Sequence, residues 1–156
     1  MSVLYIMCGP SGCGKTTYID NSEKLAHCVR VSRDTIRYSL LKDGEDYFSH
    51  EKEVFRIFVN TIVKMMNAGY DVVADATHLN EFSRRKLTQA IDMYTTDYKI
   101  IYVVFHVDAN TCVERNKSRV GRANVPENII RNMCRDFREP SKDEDERAID
   151  IIEVGE

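Results

Sequence analysis

The chain has 156 residues, of which 43% are hydrophobic and 30% charged, and a formal net charge of −3. That length suits one domain, residues 1–156, built on a single sheet with helices on both faces, and leaves no room for a second catalytic domain. The charge argues against coating long nucleic acid with a broad basic surface, but a strand end needs only a few local Arg and Lys residues.

No apolar run approaches the roughly 18 residues of a membrane span. The opening residues lack a basic segment and lead directly into a glycine-rich loop, so they read as structure rather than as a signal peptide, and a cytoplasmic location (host cytoplasm for a viral protein) is expected. Five cysteines, at 8, 13, 28, 112 and 134, are odd in number and show no Cys-x-x-Cys spacing, which argues against a disulfide framework and a zinc site.

Val3 to Met7 is an apolar run predicted as the first strand. The stretch Gly9-Pro10-Ser11-Gly12-Cys13-Gly14-Lys15-Thr16-Thr17 follows and satisfies GxxxxGK[ST]. Glycines there permit backbone angles closed to other residues, so successive N–H groups can surround a phosphate at a helix start. Gly9, Ser11, Gly12, Cys13, Gly14, Lys15, Thr16 and Thr17 are therefore the candidate ATP-binding set. Lys15 is assigned to the β/γ oxygens and the Thr16 hydroxyl to Mg²⁺. Cys13, just before a helix, is expected to be a reactive thiol.

Thr16 to Lys24 predicts the first helix and His27 to Val31 the second strand, with Ser32-Arg33-Asp34 at its carboxyl end. In an open parallel sheet the ligand crevice lies outside the carboxyl ends of the strands, so these residues should face the phosphate loop's crevice. Asp34 and Arg37, three apart on one helix face, suit a catalytic carboxylate with a partner; a helix cap is the competing role for Asp34. Lys42 to Tyr47 is a charged loop. Glu51 to Ala68 carries a core stripe of Val54, Phe55, Phe58, Ile62, Met65 and Met66 and ends at Gly69. Tyr70 to Ala74 is the third strand, ending in Asp75-Ala76-Thr77-His78-Leu79-Asn80. Asp75 is assigned either to the Mg²⁺ shell or to the acceptor, with Thr77 beside it, while His78 reads as a loop residue.

Asn80 caps a fourth helix with Leu87, Ala90, Ile91 and Tyr94 inward and Arg84, Arg85 and Lys86 on its polar side. Ile100 to Phe105 is a strand buried on both faces, and Asp108 opens a short helix to Arg115. Residues 116–125, basic and interrupted by small side chains, predict a lid whose arginines close over the γ-phosphate. Pro126 to Arg138 is helical, Ser141 to Arg147 an acidic linker, and Ile149 to Val154 a fifth strand. These elements imply a three-layer α/β fold, a mostly parallel sheet of four to five strands with helices on both faces and an arginine lid. The chemistry that fits is phosphoryl transfer: Asp34 takes the proton of an attacking hydroxyl while Arg37 and the lid arginines stabilise developing charge.

Gly9…Lys15-Thr16, Ser32-Arg33-Asp34-Thr35-Ile36-Arg37, Asp75-Ala76-Thr77-His78-Leu79-Asn80 and Arg115-Asn116…Arg119…Arg122…Val125-Pro126, in order over Val3 to Arg138, resemble the phage-type polynucleotide 5′-hydroxyl kinases of the P-loop kinase superfamily. The resemblance implies an ATP- and Mg²⁺-dependent enzyme acting on 5′-OH ends of DNA or RNA in nucleic-acid end repair. It also implies that Asp34 is the general base, that Arg37 contacts phosphate, and that Arg119, with Arg122 as a second candidate, touches the donor phosphates. Two other readings stand beside it: a small-molecule kinase for a nucleoside, sugar or antibiotic hydroxyl, and a non-catalytic module in which ATP presents a surface to a partner.

Overall fold

The computed structural model describes residues 1–119 and 125–155. Among the described residues five strands form one sheet in the order β2-β3-β1-β4-β5, every neighbouring pair parallel. They are β1 (Ser2–Cys8), β2 (Val29–Ser32), β3 (Val72–Asp75), β4 (Tyr98–His106) and β5 (Ala148–Gly155). The described α-helices of the crossovers are α1 (Lys15–Asn21), α2 (Arg33–Leu40), α3 (Glu51–Asn67), α4 (Glu81–Asp92), α5 (Ala109–Lys117) and α6 (Glu127–Asp136). This is the P-loop kinase fold. No helix among the described residues is long and apolar enough to cross a membrane.

The period of two along the strands sorts the core into two layers. Leu4, Ile6, Val72, Ala74, Ile100, Tyr102 and Val104 face Phe58, Ile62 and Met66 of α3 and Leu87 and Ile91 of α4. Tyr5, Met7, Val73, Ile101, Val103 and Phe105 face Leu25, Cys112, Val113 and Ile130 on the other side. The central strand β1 lies between β3 and β4, so its carboxyl end, where the phosphate loop begins, opens at the middle of the sheet.

Several expected boundaries move. α1 stops at Asn21 rather than Lys24, because Leu25 is buried and successive turns from Ser22 to Cys28 carry the chain inward to it. α4 ends at Asp92, which leaves Tyr94 beyond the helix and exposed rather than on its apolar face. Arg84 is not on a solvated polar face: it is 2% exposed, with Nε and Nη2 donating to Glu144 at 2.9 and 2.7 Å and Nη1 to the His78 carbonyl at 2.9 Å. The acidic linker is consequently an anchor. It contains a 3₁₀ turn at Lys142–Glu144, and Asp145 pairs with Arg147, which also grips Asp92.

Candidate active site

The phosphate loop is tied at both ends. The Gly9 N–H donates to the Thr77 carbonyl at 2.8 Å, and the Cys13 N–H closes a turn on the Pro10 carbonyl at 3.2 Å. Gly12 has φ +84°, and a Cβ there would lie 2.5 Å from the Cys112 carbonyl oxygen, so both backbone angle and the approach of α5 demand glycine. Gly14 caps α1 at φ 99° with no side-chain cap bond. Lys15 Nζ donates to the carbonyls of Gly9 and Pro10, both at 2.9 Å, and lies 3.6 Å from Cys13 Sγ. Ser11 is buried, while Thr16 and Thr17 are exposed.

Cys13 departs from expectation. It is 3% exposed and its sulfur packs against Gly9, so the thiol lacks the partial exposure that a reactive cysteine needs. Its contribution to the loop is packing and a backbone N–H.

At the end of β2, Ser32 is the N-cap of α2: its hydroxyl accepts from the Thr35 N–H at 3.2 Å. The cap role that competed for Asp34 therefore belongs to Ser32, and the Asp34 carboxylate is held instead by side chains. Arg37 Nη1 donates to Asp34 Oδ1, and the Tyr47 hydroxyl donates to the same oxygen at 2.9 Å. Arg37 Nη1 also donates to the Tyr47 hydroxyl at 3.0 Å, while Nε donates to Glu51 Oε2 at 2.7 Å and Nη2 to Glu51 Oε1 at 2.6 Å. Arg37 is 6% exposed. Burial opposes its charge, but the Glu51 hydrogen bond and the neighbouring anions carry its pKa above the ordinary value. Burial likewise opposes the Glu51 charge, and Arg37 and Arg33 outweigh it, leaving Glu51 below its ordinary 4.5. With four hydrogen bonds to Asp34, Tyr47 and Glu51, Arg37 orients Asp34.

At the end of β3, Asp75 is 7% exposed and paired with Arg30, a residue that nothing in its strand pattern marks. Arg30 Nε and Nη2 donate to Asp75 Oδ2 at 2.9 and 2.6 Å, and Nη2 also to Thr16 Oγ1 at 3.1 Å. Two oxygen donors, one a carboxylate, thus converge on a single cationic group. An all-oxygen donor set of this kind fits a hard divalent cation such as Mg²⁺.

Asn116 is 3% exposed: its Nδ2 donates to the Val125 carbonyl at 2.6 Å, and the Val125 N–H donates to its Oδ1 at 2.9 Å. One side chain thereby joins the two ends of the predicted lid, which gives the Arg-Asn…Val-Pro spacing a physical reason. Arg115 reaches back over the loop, with Nη1 3.4 Å from the Gly12 carbonyl and 3.3 Å from where a Gly14 Cβ would stand. Arg122 lies outside the described residues, as does the predicted lid at 120–124.

Two cavities meet at the phosphate loop. One, of about 430 Å³, is lined by Ser11, Lys15, Arg33, Asp34, Arg37, Tyr47, Phe48, Glu51, Asp75, Thr77 and the α6 residues Ile129, Asn132, Met133 and Asp136. The other, of about 680 Å³, is lined by Gly12 to Gly14, Thr16, Thr17, Tyr18, Arg115, Arg119 and the end of β5. Every sequence-assigned site residue in the described part lines one of these cavities except Gly9, which stands behind the loop. Arg30, Tyr47, Glu51 and Arg115 are the additions. Only Arg115 had a signal, its place beside Asn116.

A chain of the Pnkp1/Rnl/Hen1 RNA repair complex superposes with a TM-score of 0.71 at 22% identity, over 86% of this chain and 43% of that one. The chain thus spans less than half the length of that match. A sugar kinase from Janibacter sp. HTCC2649 gives 0.66 at 15% identity, covering 98% and 85%. Kti12 from Chaetomium thermophilum, in complex with ADP-AlF3, gives 0.61 at 13% identity, covering 97% and 88%. At these identities the likeness is one of fold. No curated protein matches the sequence. The model described as AAA domain matches residues 4–140, most of the chain, and the protein belongs to that family.

Proposed function

We propose that the protein is an ATP-dependent polynucleotide 5′-hydroxyl kinase of the phage-like type. The observation that carries the reading is the placement of Asp34: a carboxylate oriented by Arg37 and Tyr47, in a cavity shared with Lys15. The second cavity, with Arg115 and Arg119, lies across the loop. ATP takes that cavity and the acceptor takes the first, so that the γ-phosphoryl passes between them at the loop.

In this reading Asp34 accepts the proton of the attacking hydroxyl, a contribution of about 10²–10⁴-fold for a positioned base. Lys15 leaves its loop carbonyls for phosphate oxygens. Arg119, and Arg122 in the lid, stabilise charge on the transferred group. Thr16 and Asp75 would hold Mg²⁺, which when bound would neutralise phosphate charge. Phe48, 48% exposed at the acceptor cavity and edge-on to Tyr47, offers a face on which a terminal base can stack. Arg33, which lines that cavity with Nη2 on Glu51 at 3.3 Å, offers a further guanidinium donor to the acceptor's phosphate.

A second reading has its own observation. The acceptor cavity carries three basic side chains (Lys15, Arg33, Arg37) against four acidic ones (Asp34, Glu51, Asp75, Asp136), a balance that favours a neutral acceptor such as a nucleoside or sugar. Transfer of labelled γ-phosphate to 5′-OH DNA and RNA, nucleosides and sugars separates the two. Labelling of 5′-OH strands, with none on strands already 5′-phosphorylated, is expected; labelling of nucleosides or sugars alone would transfer the argument to the small-molecule kinase.

A further inference from the structure

We propose that Arg30 is an internal cation that closes the Thr16–Asp75 oxygen pair to a divalent ion in the nucleotide-free protein, so that metal enters together with nucleotide. The proposal rests on the assignment of that pair to Mg²⁺, and not on the identity of the acceptor.

The register of the sheet explains how Arg30 gets there. Arg30 pairs with Val73 and Ser32 with Asp75 across β2 and β3, so Arg30 and Asp75 are diagonal neighbours on one face, a separation that a long side chain spans. Val73 belongs to the core layer on the α1 side, and Thr16 sits in the first turn of α1. The guanidinium therefore enters the gap between strand end and helix start. There it places two N–H donors on one Asp75 oxygen, at 2.9 and 2.6 Å, and shares the second of them with Thr16 Oγ1 at 3.1 Å.

Those are the lone pairs that a metal ion would use. Magnesium binds oxygen at about 2.0–2.1 Å with little tolerance in geometry, so it cannot share them with a guanidinium in hydrogen-bond contact. Like charge adds to the exclusion, because a buried carboxylate that already has one cation gains less from a second. The phosphates of a bound nucleotide change the balance by bringing negative charge and further oxygen ligands. Arg30 then has somewhere to go: its Nη1 already lies 3.8 Å from the exposed Asp20 carboxylate, and β2 is the edge strand of the sheet.

The test is Mn²⁺ binding, read by electron paramagnetic resonance on the full chain without nucleotide, with thermal melts to establish that each variant is folded. Arg30→Gln is expected to bind Mn²⁺ at least tenfold more tightly than the wild type, and Arg30→Lys, which lacks the two-donor fork, to shift in the same direction. Adding Asp75→Asn to Arg30→Gln is expected to abolish the gain. Equal or weaker Mn²⁺ binding by whichever Arg30 variant folds would overturn the proposal, making Arg30 a support for the carboxylate. So would a gain that survives Asp75→Asn. Failure of phosphate transfer to 5′-OH ends would leave these binding results standing.

Discussion

Asp34 is only as well placed as the side chains that hold it. Arg37 is the hinge of that arrangement, because a single buried guanidinium ties Asp34 to Glu51 from α3 while Tyr47 reaches in from the intervening loop. Removing one partner of such a group costs more than the pair contributes, since the other charge stays buried. Glu51→Gln is therefore expected to lower stability at neutral pH by about 1–3 kcal/mol. The pH dependence has a definite sign. Glu51 titrates below 4.5 in the folded protein, so its contribution is complete above that value and is lost as pH falls through the folded pKa. Chemical denaturation of both proteins at pH 7 and pH 4 should show the gap narrowing on the acid side; a gap independent of pH would mean that the Glu51 charge does not matter.

The segment after β3 shows how one element can serve both core and site. His78 has φ +40°, and its Nδ1–H donates to the Met7 carbonyl at 2.7 Å, which locks the turn that carries Asp75 and Thr77 against β1. Burial, opposed in part by that bond, drives its pKa down to about 3. The unfolded chain takes up the proton first, near 6.5, so folding loses about 1.4 kcal/mol per pH unit between 6.5 and the folded value. His78→Asn, an exchange that tolerates positive φ, is expected to flatten this part of the acid limb relative to wild type. Parallel acid limbs would show that His78 titrates normally.

This element also marks the border of what the sequence discloses. Apolar runs and turn residues were enough to place the strand and the following Asn80 cap, whose hydroxyl-and-amide box with Ser83 is a local pattern. Nothing local foretells that His78 is buried, or that Arg84 leaves the polar face for Glu144, sixty positions away. Periodicity reports which face an average residue prefers, whereas a buried ion pair depends on a partner supplied by another crossover.

At the scale of the molecule, the sheet order explains why the site is where it is. Placing β1 between β3 and β4 brings the phosphate loop between the ends of two neighbouring strands, with β2 delivering Asp34 on one side and α5 delivering Arg115 on the other. The alternation of strands and helices was legible because each parallel strand is a compact apolar run closed by a polar end. Parallelism throughout, including β5, follows from the crossovers. The links that join the site were not legible. Arg30 to Asp75, Arg37 to Glu51 and Asn116 to Val125 bridge elements whose adjacency is a property of topology rather than of any sequence window.

The division of the crevice into a donor side and an acceptor side, with Asp34 as base, is tested most directly by one pair of measurements on Asp34→Asn. ATP affinity and the rate of γ-phosphate transfer to a 5′-OH oligonucleotide are compared with wild type in the same buffer. ATP affinity should be unchanged while transfer falls by about 10²–10⁴-fold. Transfer at the wild-type rate would contradict the account, because the carboxylate that Arg37 and Tyr47 hold would then have no part in the reaction.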